Sequence, residues 1–285
     1  MRMAGVAKMA KIQVAVSGAA GKMGLEVIRT ILGTEDLQLA AAVDMTNVGE
    51  DAAVLAGSKP CGVLIEKDLP AIFTKKDRKI DVVVDFTTPV AVLSNIKMAL
   101  EGGAAVVVGT TGITSVDLDQ IQEWSQQYQH PVLIAPNFAI GAVLMMYCAA
   151  FAAQYLNNVE IIELHHDRKK DAPSGTAIKT AEMILAARER SQANGSAPTM
   201  AGSEKIDGVR GGELGGIHLH SVRLPGLIAH QEVIFGDLGQ TLTIRHDSTS
   251  RESFMPGVLL AIRKIRDYQG LIYGLDKIMG LSEPG

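Results

Sequence analysis

Three runs of small or branched apolar residues, Ala40-Ala41-Ala42-Val43, Val82-Val83-Val84 and Val106-Val107-Val108, carry no polar alternation. Strands of this kind are buried on both faces, the condition of a strand inside a parallel sheet covered by helices on each side. Strand and helix patterns alternate around them: a strand at 12–17 and a helix at 22–32, a strand at 37–44, a strand at 82–86 and a helix at 90–100, a strand at 104–108 and a helix at 116–127, a strand at 132–135. The expected architecture is α/β, with a Rossmann-like parallel sheet in the first half. After Gly141 the pattern changes. The apolar run 138–153 reads as a buried helix, 159–164 as a strand, and Gly175 opens a helix with Ile178, Ala181 and Leu185 on one face. A loop at 191–216, dense in Gly, Ser and Ala, is expected to be mobile. Strands at 217–224, 231–236 and 241–246 follow with no helix between them, which predicts a second α+β domain of mixed sheet. A final helix at 254–268 presents Val258, Ile262 and Ile265 on one side and is expected to pack back on the first domain.

A chain of 285 residues can bury two cores of medium size. Its 27 basic and 31 acidic residues are mixed along the chain, and aromatics are few, so no nucleic-acid surface is expected. Cys61 and Cys148 are far apart, with no zinc or disulfide spacing, which fits a reducing cytoplasm. The run 138–153 is shorter than the roughly 20 residues a membrane helix needs. The start at 1–11, with Arg2, Lys8 and Lys11, leads into a strand and not into a signal-peptide apolar region, and is expected to be a ragged extension.

Gly18, Gly21 and Gly24 follow directly on the strand at 12–17 and stand at the mouth of a helix. Glycines there let backbone approach a pyrophosphate and let helix pack on strand, while the helix end offers N–H donors. A plain strand-to-helix turn needs only the glycines; what favours a dinucleotide is Asp44, about twenty residues further at the end of the next strand, where a ribose-binding acid belongs. Two further strand ends, Asp85-Phe86-Thr87-Thr88-Pro89 and Gly109-Thr110-Thr111-Gly112, would flank the nicotinamide half, with Ala135-Pro136-Asn137-Phe138 as a third. Each alone reads as a turn or a cap; together with the glycine turn they imply one site.

The stretch 163–177, Glu-Leu-His-His-Asp-Arg-Lys-Lys-Asp-Ala-Pro-Ser-Gly-Thr-Ala, joins a strand to a helix and concentrates acid/base groups that a core does not need. His165 and His166 are adjacent on extended chain, so their rings face opposite sides, and one can move a proton while the other binds. Lys169 adds a positive charge. Ser174 suits the N-cap, so the backbone N–H groups of Gly175 and Thr176 at the helix end would receive a carboxylate. Asp171 and Pro173 are expected to shape the turn. Adjacent histidines on a strand diverge and lack ligand spacing, so no metal site is expected. His218, His220, His230 and His246 default to structural or surface roles, and Arg251 reads equally as a carboxylate partner or a salt bridge.

These residues resemble the 4-hydroxy-tetrahydrodipicolinate reductase (dihydrodipicolinate reductase) family, whose signature Glu-(Leu/Val)-His-His-x-x-Lys-x-Asp-Ala-Pro-Ser-Gly-Thr-Ala is matched without a gap at 163–177. The resemblance implies NADH- or NADPH-dependent reduction of a cyclic dicarboxylate, with loss of water, in the diaminopimelate route to lysine. It implies His165 as proton donor/acceptor, Lys169 as second donor and carboxylate partner, and His166, Gly175 and Thr176 as substrate-binding, a set to which the reading of the helix N-terminus adds Ser174 as a donor. Gly18, Ala19, Ala20, Gly21, Lys22, Met23, Asp44, Gly109, Thr110, Thr111, Ala135, Pro136, Asn137 and Phe138 match the cofactor-binding set. Residues 1–139 would then be the dinucleotide-binding domain, with 248–285 returning to it, and 140–247 the substrate-binding and oligomerisation domain of a homotetramer. The chemistry agrees, because hydride reaching a carbon conjugated to an imine leaves an enamine that needs a proton, and histidine titrates near neutrality. Many members place an arginine beside the acid, able to meet a 2′-phosphate; here Met45 stands there, which leans to NADH, while Lys22 leaves NADPH open. Two other classes compete. An acyl-forming dehydrogenase would need a nucleophilic cysteine, which the setting of Cys148 does not supply. A non-catalytic dinucleotide sensor would have no use for acid/base groups beside an anion turn.

Overall fold

The computed structural model describes residues 10–75, 78–191 and 204–282. Part of the expected loop at 191–216, and Arg2 and Lys8 of the start, fall outside the described residues. Two compact units form: one runs up to Phe138 and resumes at 254–280, the other is built on 139–253.

The first unit holds β1 (Ile12–Ser17), α1 (Lys22–Leu32), β2 (Leu37–Val43), α2 (Ala52–Leu55), β3 (Ile65–Glu66), α3 (Leu69–Phe73), β4 (Val82–Asp85), α4 (Val92–Glu101), β5 (Ala105–Val108), α5 (Ser115–Tyr128) and β6 (Val132–Ile134). The second unit begins with α6 (Ile140–Ala152) and continues through β7 (Asn158–His165), α7 (Gly175–Arg190), β8 (Gly212–Leu214), β9 (Ile217–Arg223), β10 (Ala229–Asp237) and β11 (Gln240–Ser248). The chain then returns to the first with α8 (Met255–Lys264), β12 (Leu271–Tyr273) and α9 (Leu275–Met279).

The first sheet is parallel, in the order β12-β6-β5-β4-β1-β2-β3. All of Val82, Val83, Val84, Val106, Val107 and Val108 are fully buried, as their unalternating pattern requires. Each such side chain contributes about 1.5–3 kcal/mol over an exposed one. Strand order reverses between β1 and β4, so a crevice opens beyond the carboxyl ends of the strands there.

The second sheet is mixed, in the order β11-β10-β7-β9-β8, with β7 and β9 parallel and the other pairs antiparallel. Along β7, Val159, Ile161 and Glu163 are buried while Glu160, Ile162 and Leu164 are half-exposed, the period of two that one covered face imposes. Packing contacts run from α7 to β7, from α6 to β11 and between the two helices.

Two expectations change. The run at 138–153 forms α6, but Leu144, Cys148 and Phe151 lie on an exposed stripe, so the helix is buried along one side only. The region beyond 268 contributes β12, a seventh parallel strand beside β6, which three residues are too few to signal by periodicity.

Candidate functional site

In the first unit, the carboxyl ends of β1, β2, β4, β5 and β6 share one edge of the sheet, because all are parallel. Gly18, Asp44, Asp85, Gly109 and Ala135 follow or end these strands. Gly18 has φ of +78°, and a Cβ on it would stand 2.6 Å from the Phe86 carbonyl oxygen. A Cβ on Gly24 would stand 2.0 Å from the Gly18 carbonyl oxygen, so only glycine lets α1 pack this closely on the turn. Gly109 meets the ring of Phe86 in the same way, at 2.0 Å.

Gly18 and Ala19 both donate their N–H to the Val43 carbonyl, at 2.9 and 3.0 Å, and Gly21 donates to the Gly18 carbonyl at 3.1 Å. Ala20 donates to Asp44 Oδ2 at 2.9 Å. These residues therefore shape the turn, and the donors facing outward are those of Lys22 and Met23 in the first turn of α1, which a helix cannot pair internally. No side chain caps that end, and no acid stands in its first turn. Asp44 Oδ1 accepts from the Thr46 N–H and hydroxyl, both at 2.9 Å. An open helix end packed against glycines, with an acid at the end of the neighbouring strand, fits a nicotinamide dinucleotide.

Asp85 is the part of this edge whose role its sequence position does not reveal. It is wholly buried, and accepts from Thr87 N at 3.0 Å, Thr87 Oγ1 at 2.7 Å, Asn95 Nδ2 at 2.8 Å and Thr110 Oγ1 at 3.0 Å. One carboxylate thus fastens the loops after β4 and β5 together. The Thr110 side chain is turned inward to it, leaving Thr111 exposed. Phe138 is buried with its ring centroid 5.8 Å from that of Phe86, Ala135 is buried, and Pro136 is exposed.

In the second unit, Glu163 stands at the centre. It shares the covered phase of β7 with Val159 and Ile161, and its side chain is 0% exposed. Oε2 accepts from His165 Nδ1 at 2.5 Å and from Arg223 Nη1 at 2.8 Å; Oε1 accepts from Arg223 Nη2 at 2.7 Å and from the Ser174 N–H at 3.1 Å. Burial pushes this carboxyl up, but hydrogen bonds from His165, Arg223 and Ser221 outweigh it and hold the group at about 2. The parallel register of β7 and β9 sets His165 opposite Arg223 and Glu163 opposite Ser221.

Ser174 caps α7, its hydroxyl accepting from Ala177 N at 3.2 Å. Gly175 follows at an exposed position, with an N–H the helix cannot pair internally. Lys169 Nζ is held by Asp171, at 2.9 Å to Oδ1 and 2.7 Å to Oδ2, which depresses the Asp171 pKa. The Asp171 carbonyl accepts from Arg223 Nη2 at 2.6 Å, so the arginine also fixes the connection between strand and helix. Asp171 thus does more than shape the turn. His166 is half-buried, and its Nδ1 is buried without a partner among the described residues.

Arg223 escaped sequence reasoning, although a signal was present. Ile217, Leu219, Ser221 and Arg223 share one face of a strand, and a cation in phase with buried apolar residues requires a partner there. Of the other histidines, His220 pairs with Glu160 at 2.8 Å and His230 with Asp247 at 2.6 Å, His218 has its Nδ1 buried without a partner among the described residues, and His246 is held below its ordinary pKa by burial over Gly141. Arg251 is exposed and makes no ion pair with a described residue. No group of three or more His, Cys, Asp or Glu suited to a metal occurs among the described residues, nor does any helix long and apolar enough to cross a membrane.

A dinucleotide-type parallel sheet, and a mixed sheet carrying acid/base groups beside a capped helix end, define an oxidoreductase that works with a nicotinamide dinucleotide. Comparison with known proteins narrows the class. Residues 12–138 match the family model for the N-terminus of dihydrodipicolinate reductase, and residues 141–279 match that for its C-terminus. The 4-hydroxy-tetrahydrodipicolinate reductase of Desulfitobacterium hafniense is 52% identical over 275 residues, covering 95% of this chain and 100% of the relative. That of Moorella thermoacetica is 48% identical over 270 residues, covering 95% and 98%. Among solved structures, a dipicolinate-bound dihydrodipicolinate reductase from Paenisporosarcina sp. TG-14 superposes with a TM-score of 0.81 at 42% identity, covering 94% of this chain and 99% of that one. The chain belongs to the dihydrodipicolinate reductase family.

Proposed function

We propose that the chain reduces 4-hydroxy-tetrahydrodipicolinate to tetrahydrodipicolinate with release of water, in the diaminopimelate route of lysine biosynthesis, with His165 as proton donor. The observation that carries this reading is the junction at 163–177, where a histidine held by a buried carboxylate, a lysine and a capped helix end are tied together by Arg223. Loss of the 4-hydroxyl as water would leave a ring double bond conjugated with the imine, and the cofactor, when bound, would supply hydride to its far carbon. His165 then delivers a proton to the electron-rich ring from Nε2, since Nδ1 is engaged by Glu163. Lys169 and the N–H groups of Gly175 and Thr176 receive the two carboxylates, and His166 binds on the other side of the strand. In the first unit, Lys22 and Met23 hold the pyrophosphate by backbone N–H groups, and Asp44 takes a ribose hydroxyl. Met45, 71% exposed, brings no cation to a 2′-phosphate, so NADH is the preferred cofactor. The enzyme acts in the cytoplasm as a homotetramer.

The test is oxidation of NADH or NADPH by purified protein, with substrate generated in situ from pyruvate and aspartate semialdehyde by the synthase. Absorbance loss that depends on the synthase is the expected result; cofactor binding without turnover would sink the reading.

A further inference from the structure

We propose that Arg223, acting through Glu163, is a positioning residue that holds His165 in one tautomer. The proposal rests on the reading of His165 as proton donor. A carboxylate is not needed to complete the face of β7 shared with Val159 and Ile161, where an apolar side chain of similar volume would pack at no desolvation cost. Its presence there therefore asks for a reason.

The geometry supplies one. Three of the four hydrogen bonds to Glu163 come from groups that can only donate, the two Arg223 nitrogens and the Ser174 N–H, and the ionised carboxylate has no hydrogen of its own, so both oxygens act only as acceptors. His165 Nδ1 must then carry its hydrogen toward Oε2, and Nε2 is left as the ring nitrogen that gains and loses the working proton. Arg223, the register partner of His165 on β9, brings its guanidinium to the same carboxylate and to the Asp171 carbonyl. One pair thus fixes both the imidazole and the connection leading to the Ser174 cap.

Glu163 supplies the acceptor for the Nδ1 hydrogen, and Arg223 supplies two of the four hydrogen bonds that hold that acceptor in place. From β10 the register neighbours of His165 and Glu163 are Ala229 and Gln231, which carry no charge. Replacing the carboxylate by an apolar side chain removes the acceptor. Replacing the guanidinium leaves the carboxylate able to turn away from the ring.

The test reads the tautomer of His165 from the 15N shifts of its two ring nitrogens, by NMR with histidine-selective labelling, in wild type, Glu163→Leu, Arg223→Gln and Arg223→Lys, with kcat and KM measured in parallel. The expected result is the Nδ1–H tautomer in wild type and Arg223→Lys, a mixture with the Nε2–H tautomer in Glu163→Leu and Arg223→Gln, and kcat lowered about tenfold or more in those two with KM little changed. One and the same tautomer in all four proteins overturns the proposal. Loss of fold in Glu163→Leu, seen as a lost thermal transition, leaves Arg223→Gln against Arg223→Lys to decide, since a purely structural role moves the tautomer in neither. A tautomer that shifts while kcat stays fixed overturns His165 as donor and leaves the positioning role standing.

Discussion

At the scale of single residues, division of labour follows from what each side chain touches. His165 is 15% exposed and has one ring nitrogen taken by Glu163, so under the proposed assignment its loss removes proton delivery while leaving the proposed carboxylate sites in place. His165→Gln is expected to lower kcat by about 10²- to 10⁴-fold with little change in KM, measured by steady-state kinetics at pH 7.5. In the proposed reaction Lys169 meets a substrate carboxylate as a charge, so Lys169→Ala should raise KM as well; equal effects in the two variants would count against separate roles. Its ion pair with Asp171 holds the ammonium in place before substrate arrives. On the cofactor side, Met45→Arg places a cation beside Asp44, and the ratio of kcat/KM for NADPH to that for NADH should rise about tenfold, roughly 1.4 kcal/mol. An unchanged ratio would mean that Lys22 or another group already governs the 2′ position.

At the scale of elements, the candidate site of each unit is built at an end where a strand meets a helix, and its stability depends on how closely the two pack. Gly24→Ala puts a Cβ where only 2.0 Å separates it from the Gly18 carbonyl oxygen, so α1 must move away from β1. A loss of about 1–3 kcal/mol is expected, with weaker NADH binding, measured by thermal unfolding and calorimetry. The junction of β7 and α7 has a pH signature. Glu163 lies at about 2, below its ordinary 4.5, so its contribution is complete above pH 4.5 and is lost as pH falls toward 2. That contribution is on the order of 3 kcal/mol. Urea unfolding at a series of pH values should show a shallower acid slope in Glu163→Gln than in wild type. The elements themselves were largely legible in sequence, because β4 and β5 are built on unbroken valine runs and β7 is rich in Val, Ile and Leu. The short pieces β3, β8 and β12 were not, since two or three residues carry no period. Side-chain roles were less legible than elements. The motif at 163–177 exposed the histidines and the cap, but Arg223 lies on another strand, and only the parallel register of β7 and β9 brings it to Glu163. Asp85 was visible as a strand end, yet its bonds to Thr87 and Thr110 depend on the pairing of β4 with β5.

At the scale of the whole molecule, the second sheet poses a problem that one chain leaves unsolved. The face carrying Val159, Ile161 and Glu163 is the buried one, while the opposite face presents Ile162 and Leu164 of β7, Val222 of β9 and Ile234 of β10, none of them fully buried. The charges on that face are already paired within the chain: Glu160 with His220 and Arg210, and Arg245 with Glu232 and Asp247. An apolar patch rimmed by charges that need no new partner is suited to cover a copy of itself, because the self-complementary contact of a two-fold axis brings like against like. The proposed homotetramer would bury this face. Ile162 sits on the central strand of the sheet, so Ile162→Arg places a cation in the middle of that contact against its own symmetry mate. Sedimentation velocity at micromolar concentration should show a tetramer for wild type and a smaller species for the variant, with the monomer fold retained by circular dichroism. A wild-type chain that sediments only as a monomer would refute the assembly, and a variant that stays tetrameric would move the interface off this face.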